Sequence, residues 1–475
     1  MRGAQNKLEA PVTRRGLVSA AALAAAGLAA LPLVGCGAIK REEAKEEAAH
    51  NDPAAGSSVG TNAQTPATVQ LNKVTYPEAV KTTDFEKLEK LEAENPVGVE
   101  FLGSLETFSN TLTTHAVGEF AFDAANPNAC VSPVGMYLAL AMLAQGARGD
   151  TQAQLLAALG VSDADALAEQ CRHLLKRLWA RTTPADDEAP ARLNVANSLW
   201  LHGGVPFEKH FLDKAAKDFY AEVFEVREPG HDAATAMGDW VAQHTGAAAG
   251  PQFTLADGWL ASILSTLWYQ GCWNTPFNEN DTAPGTFYGL TGEVPCDFMT
   301  QQVECAFVQG DGYKLASMPL TGNAHLAFLL PDEGVDPQAF LARDTGISQL
   351  FGGLANGFAR VQLTLPKASM ETHAQLADVL QLMGVASAFA PDADFSGMTS
   401  GTVHLSDVAQ GARLALNEMG VEASSYTQLA VNVTSVMATD AEVIEMRLDR
   451  PFAFRLTDVD GVVLLAGVMG APTAA

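Results

Sequence analysis

The stretch Val421-Glu422-Ala423-Ser424-Ser425-Tyr426-Thr427-Gln428-Leu429-Ala430-Val431-Asn432-Val433-Thr434 sets small or apolar residues at odd positions against mostly polar ones at even positions. A period of two predicts a half-buried β-strand, with Val421, Ala423, Ser425, Thr427, Leu429, Val431 and Val433 facing a core. Asn417-Glu418-Met419-Gly420 leads into it as a hinge. An uneven run from Ser435 to Glu445 then separates it from the apolar Arg450-Pro451-Phe452-Ala453-Phe454. This is a strand's worth of sequence held in a long loop.

Other blocks fall in order around that loop. Val131-Ser132-Pro133 opens an Ala/Leu-rich segment ending in Gly146-Ala147-Arg148-Gly149-Asp150-Thr151. Asn194 to Trp200 follows, then Trp268-Tyr269-Gln270-Gly271-Cys272-Trp273 with Pro276-Phe277, then Phe328-Leu329-Leu330-Pro331-Asp332-Glu333-Gly334. Asp449-Arg450-Pro451-Phe452 to Gly467-Val468-Met469-Gly470 closes the series. Together with Asn417 to Ala423, these blocks resemble the serpin family over residues 100–472, and the loop at about 418–445 resembles its reactive-centre loop.

The resemblance implies a mixed α+β serpin fold, with three β-sheets and about eight or nine helices. It also implies a suicide-substrate inhibitor of serine, or cysteine, endopeptidases that is not itself an enzyme. The attacking protease supplies the nucleophile. After acylation the freed loop inserts into the central sheet and drags the attached protease across the molecule; serpin loop insertion is a standing example of strand addition and of conformational switching. Insertion demands that inward-facing loop residues tolerate a core. Val421, Ala423, Ser425, Thr427 and Leu429 do so, whereas an unpaired charge at the leading positions would cost several kcal/mol.

By the same resemblance the hinge comprises Glu418, Gly420, Val421, Glu422 and Ala423. The family's hinge-to-bond spacing puts the scissile bond at Thr434-Ser435, with Met437-Ala438 as the alternative. A small residue before the cut suits elastase-like or subtilisin-like proteases. Each further residue adds about 3.3 Å of slack to the link that must crush the protease. Ser132 matches the serine of the shutter, where the sheet must open. The family's second serine, asparagine and histidine there are Gly135, Ser265 and Gln410 in this chain. Gln410 keeps the capacity to donate and accept hydrogen bonds but does not titrate near neutrality. Trp273 fits the tryptophan of the breach, beneath the point of insertion.

The N-terminus carries a separate message. Thr13-Arg14-Arg15 precedes an Ala/Leu-rich run from Leu17 to Val34, which ends in Leu33-Val34-Gly35-Cys36. A charged start, a weakly hydrophobic middle and small residues before a cut describe an export signal over residues 1–35. The paired arginines resemble a twin-arginine signal. Gly16-Leu17-Val18-Ser19 departs from its bulkier, Lys-ended pattern and leaves the Sec route open. The last four residues resemble a bacterial lipobox, with Cys36 as the lipidated first residue of the mature chain. An uncleaved anchor is the alternative, since the run approaches the ~20 residues that span a bilayer. Both readings place the protein outside the cytoplasm, tethered to the membrane or surface. Residues 36–80 lack a sustained apolar period and are expected to form a flexible tether, with the serpin domain occupying 81–475.

With 475 residues and 48% apolar content, the chain can bury a full-sized core. Its net charge of −26 argues against a nucleic-acid partner. Loss of the leader, with Arg2, Lys7, Arg14 and Arg15 against Glu9, subtracts +3 and gives −29. A monomer is expected, with a target protease as partner. The one Gly-x-Ser-x-Gly, Gly56 to Gly60, falls in the Asn/Ala/Gly/Ser/Thr-rich run and forms no strand-to-helix elbow, and no His-Glu-x-x-His or Cys-x-x-Cys is present, so neither catalysis nor a metal or cofactor is expected. Cys296 and Cys305 are spaced to close a small loop in an oxidising compartment; alternatively Cys130, Cys171, Cys272, Cys296 and Cys305 are all buried hydrophobes. Arg172, Lys176, Arg177 and Arg181 form a basic face that is expected to be solvated. The competing function is a noninhibitory binding or adhesion lipoprotein with the same fold.

Overall fold

The computed structural model describes residues 67–72, 74–77, 80, 84–120, 127–180, 191–245, 251–255, 259–341, 347–350, 357–405, 407–421 and 442–473. They belong to the unit Gln64–Ala475, and Met1–Ala63 is a unit of its own. Cys36, Arg181 and the loop positions Glu422, Ala423, Thr434, Ser435, Met437 and Ala438 lie outside the described residues.

The helices are α1 (Phe85–Glu94), α2 (Val99–Phe120), α3 (Pro133–Gly146), α4 (Gly149–Ala158), α5 (Ala164–Ala180), α6 (Lys209–Asp218), α7 (His231–Thr245), α8 (Pro337–Leu341) and α9 (Ala377–Leu382). The strands are β1 (Thr68–Gln70), β2 (Ala129–Val131), β3 (Ala191–His202), β4 (Glu222–Val226), β5 (Ala261–Cys272), β6 (Thr282–Gly289), β7 (Gly292–Gln309) and β8 (Tyr313–Leu320). They continue with β9 (Ala324–Pro331), β10 (Phe358–Pro366), β11 (Ala368–Gln375), β12 (Asp407–Leu416), β13 (Gly420–Val421), β14 (Val443–Arg447), β15 (Phe452–Thr457) and β16 (Val463–Met469).

One sheet has the order β1-β4-β3-β5-β13-β12-β11, and a second network runs β14-β10-β7-β8-β9-β15-β16-β2 with β6 beside β7. The three sheets expected from the sequence are two hydrogen-bonded networks among the described residues, because β7 serves two of them. Its first part pairs with β6 and β10, and its end pairs with β8.

Helix α3 is apolar all round, and every residue of it is buried, as a helix enclosed on all sides must be. Ser132 caps it by accepting the Gly135 N–H at 3.3 Å, and Pro133 supplies a preset φ in the first turn. On α5 it is Asp163 that caps, accepting the N–H groups of Asp165 and Ala166. Strand β5 is buried on both faces. Ile263 and Leu267 enter the main core, while Leu264 joins Ala196, Trp200, Met237 and Trp240 in a second cluster beneath α7. The central sheet therefore lies between α3 and α7.

The tether expectation extends too far along the chain. Residues Thr68–Gln70 pair with Val226–Phe224 at the sheet edge, and the Asn72 amide copies the ladder by bonding both Ala221 C=O and Val223 N–H. Tyr76 then packs against Trp179, with ring centroids 4.5 Å apart. Three strand residues show no sequence period, so this strap owes its form to the distant strand it covers. The basic face is largely neutralised within the fold: Arg172 pairs with Asp218 and Glu169, and Arg177 with Asp460.

A Cys296–Cys305 disulfide is incompatible with β7, which carries both residues nine positions apart on one extended strand. That separation is about 30 Å, with the two side chains on opposite faces. All five described cysteines are free. Alkylation under denaturing conditions without reductant should therefore label each of them; a Cys296–Cys305 bridge would register as two labels missing by mass.

Candidate functional site: the central strand pair and its hinge

Strands β5 and β12 run parallel, pairing Ser262–Thr266 with Asp407–Gly411. Beyond Thr266 and Gly411 they no longer pair with each other. Instead β13 enters between them from the far end, with Gly420 opposite Cys272 and Val421 opposite both Gly271 and Leu416. Val421 is fully buried and belongs to the main core. Its inward direction agrees with the parity read from the sequence. Gly420 is needed for close approach, since a Cβ there would stand 2.1 Å from the Gly271 carbonyl oxygen, and backbone cannot yield.

Five contacts seat the hinge. Trp273 donates its backbone N–H to Met419 C=O and its indole N–H to Asn417 C=O, each at 2.9 Å. Phe277 N–H donates to Glu418 C=O at 2.9 Å and packs edge-on against Trp273. The Glu418 carboxylate, 6% exposed, accepts from the Thr282 hydroxyl at 3.0 Å and pairs with Lys367 Nζ at 3.0 Å. Burial pushes this carboxyl up, but its own backbone N–H, Lys367 and Thr282 outweigh burial and hold it below the usual carboxylate range. Sequence reasoning found Glu418 and Trp273 but neither Lys367 nor Thr282. Those partners lie 51 and 136 residues away, and no local pattern marks them.

Where β5 and β12 do pair, a polar row crosses the sheet. Asn197 on β3 stands opposite Ser265 on β5, which stands opposite Gln410 on β12. Gln410 clasps the chain at the start of α3: Ser132 N–H donates to its Oε1 at 2.7 Å, and its Nε2 donates to Ser132 C=O at 2.9 Å. Ser132, Gly135, Ser265 and Gln410 thus meet as the sequence comparison implied. A Cβ on Gly135 would lie 2.7 Å from Ser265 Oγ, 3.1 Å from Ser132 Oγ and 3.4 Å from Gln410 Nε2. Asn197 was missed by the sequence reading. It is buried, and both its amide atoms, like Ser265 Oγ, lack a hydrogen-bond partner among the described residues. The available signal was a polar residue in the inward-facing series Val195, Asn197, Leu199, Leu201.

A family model described as "Serpin (serine protease inhibitor)" matches residues 108–472, more than half of the chain. The chain belongs to the serpin family. A bovine plasma serine protease inhibitor is 26% identical over 372 residues, covering 74% of this chain and 90% of its own length. Human corticosteroid-binding globulin is 28% identical over 339 residues, covering 70% and 81%. The native-state crystal structure of tengpin, a thermophilic serpin, superposes with a TM-score of 0.68 at 21% identity, over 85% of this chain and 99% of that one. Serpins are in general protease inhibitors rather than enzymes, and some members are binders, as the second relative's name states.

The Glu418 contacts give a stability prediction. Glu418→Gln should cost about 1 kcal/mol, less than for a fully buried pair because Lys367 is 38% exposed. A depressed carboxyl contributes stability above its ordinary value and loses it as pH falls through its folded value. The melting temperatures of wild type and variant should therefore differ at pH 7 and converge as pH falls below about 4.

Proposed function

We propose that this serpin is a suicide-substrate inhibitor of serine endopeptidases, with elastase-like or subtilisin-like enzymes as targets, and that its cleaved loop inserts between β5 and β12. One observation carries the reading: Val421, the first residue of the alternating stretch, is already seated as a strand between these two, opposite Gly271 and Leu416. Continuing that antiparallel register brings Ala423 opposite Tyr269, Ser425 opposite Leu267 and Leu429 opposite Ile263, each facing the core. It brings Thr427 between Ser265 and Gln410, into the polar row. Every inward position so reached is small, apolar or a hydroxyl.

Insertion must part the five parallel pairs of Ser262–Thr266 with Asp407–Gly411, and two ladders replace them. Thr427 also brings a hydroxyl to the unsatisfied Ser265, a group whose burial is costly without a partner. The scissile bond in this reading is Thr434-Ser435, with Met437-Ala438 as the rival. Export and anchoring through Cys36 belong to the same proposal, supported by the arginine pair and by Leu33-Val34-Gly35-Cys36. The protein then works as a monomer outside the cytoplasm. Kinship with corticosteroid-binding globulin favours a second reading, an anchored binding or adhesion protein that keeps the fold without the trap.

Incubation with a panel of serine proteases followed by denaturing electrophoresis separates the two readings. A band at the combined mass is expected, whereas clean cleavage with active protease released would establish the second. Val421→Arg should turn the inhibitor into a substrate while leaving cleavage at the loop intact; full trapping by that variant would end the insertion argument. Thr427→Val should lower the stability of the cleaved form by about 1 kcal/mol and leave the intact form unchanged, as calorimetry of both forms would show.

A further inference from the structure

The registers of the central sheet also say where a captured protease comes to rest relative to the chain's own N-terminal attachment. Leu201 is opposite Ala261, His202 is opposite Val226, and Val226 is opposite Thr68. The strap therefore joins the sheet at the end marked by Ala261, and Arg227 N–H donating to Ala67 C=O secures that point. The hinge lies at the other end, beside Cys272. On the insertion reading proposed above, which this inference rests on, the register that sets Val421 against Gly271 sets Val431 against Ala261. The inserted strand thus runs about 33 Å from the hinge end and carries the cut end of the loop to the strap end. It stops four strand spacings from β1, about 19 Å away.

We infer that this serpin delivers its captured protease to the pole where its own N-terminal leash leaves the body, so that on an anchored molecule the protease is drawn inward, between the folded unit and the surface that holds it. After capture, protease and leash share one end of the molecule. Leash length then becomes a working part of the trap. A flexible chain with the number of residues from Cys36 to Ala67 would span about 30 Å at rest and extend to about 110 Å. A protease domain of about 230 residues is roughly 45 Å across. The natural leash can clear such a guest, and a much shorter one cannot.

The test holds the protein on phosphatidylcholine vesicles bearing a nickel-chelating lipid, through a histidine tag replacing residues 1–35. One variant keeps the full leash. A second lacks residues 40–63, so that at most about 25 Å of chain separates position 36 from Ala67. Both are challenged with a serine protease that the soluble protein traps, and the moles of inhibitor consumed per mole of protease are counted. In solution both should trap with equal stoichiometry. On vesicles the full-leash protein should be unchanged, while the short-leash protein should need several-fold more inhibitor as it is cleaved and turned over. Equal trapping by both on vesicles would overturn the inference and leave the inhibitor reading intact. Failure of the soluble forms to trap would instead remove that reading, and the inference with it.

Discussion

The arrangement depends on a divided strand pair. β5 and β12 are bound to each other at one end, by Ser262–Thr266 against Asp407–Gly411, and separated at the other by the single inward residue Val421. A sheet gains from completing its ladders, and here the neighbouring strands offer a register that the loop sequence fits. What restrains them is the paired end, where Gln410 fastens β12 to the backbone of Ser132 at the head of the core helix. Parting the strands means disturbing the cap of a helix with every residue buried, which couples the sheet to the densest part of the molecule.

Gln410 illustrates how a changed residue can keep a geometric task. A neutral side-chain amide presents one acceptor and two donors in a plane, and here it meets the N–H and C=O of one residue at once. An imidazole would bring a charge that varies near neutrality; the amide does not, so this clasp is indifferent to pH in that range. Gly135 and Ser265 belong to the same adjustment. With Ser265 Oγ only 2.7 Å from where a Gly135 Cβ would sit, the short side chain on the strand and the absent one on the helix accommodate each other. The hinge end is different in kind: Glu418 is held by a charge and a hydroxyl, so its grip is weakened by acid.

Much of the fold was legible because period and position agree. The inward direction of Val421 and the Ala/Leu-rich segment opened by Ser132-Pro133, which is a buried helix, carry local signals strong enough to survive packing. The strap was not legible, because Thr68–Gln70 is too short to show a period and is a strand only by pairing with β4. Nor was the continuity of β7, which joins two of the expected sheets and keeps Cys296 and Cys305 apart. Asn197 went unnoticed since its burial is a property of the sheet face it occupies.

By itself the sequence determined the family, the alternation of side chains from Val421 onward, and the places of Ser132, Gln410, Trp273 and Glu418 in the chain. These are local facts, set by side-chain chemistry and spacing along a backbone of fixed geometry. Only the tertiary structure decided that Val421 is already seated, that Lys367 and Thr282 hold Glu418, that Asn197 extends the polar row, and that the strap joins the sheet at the end opposite the hinge. Strand register makes those choices, by bringing together residues tens to hundreds of positions apart, and register is settled by which faces can be buried at once.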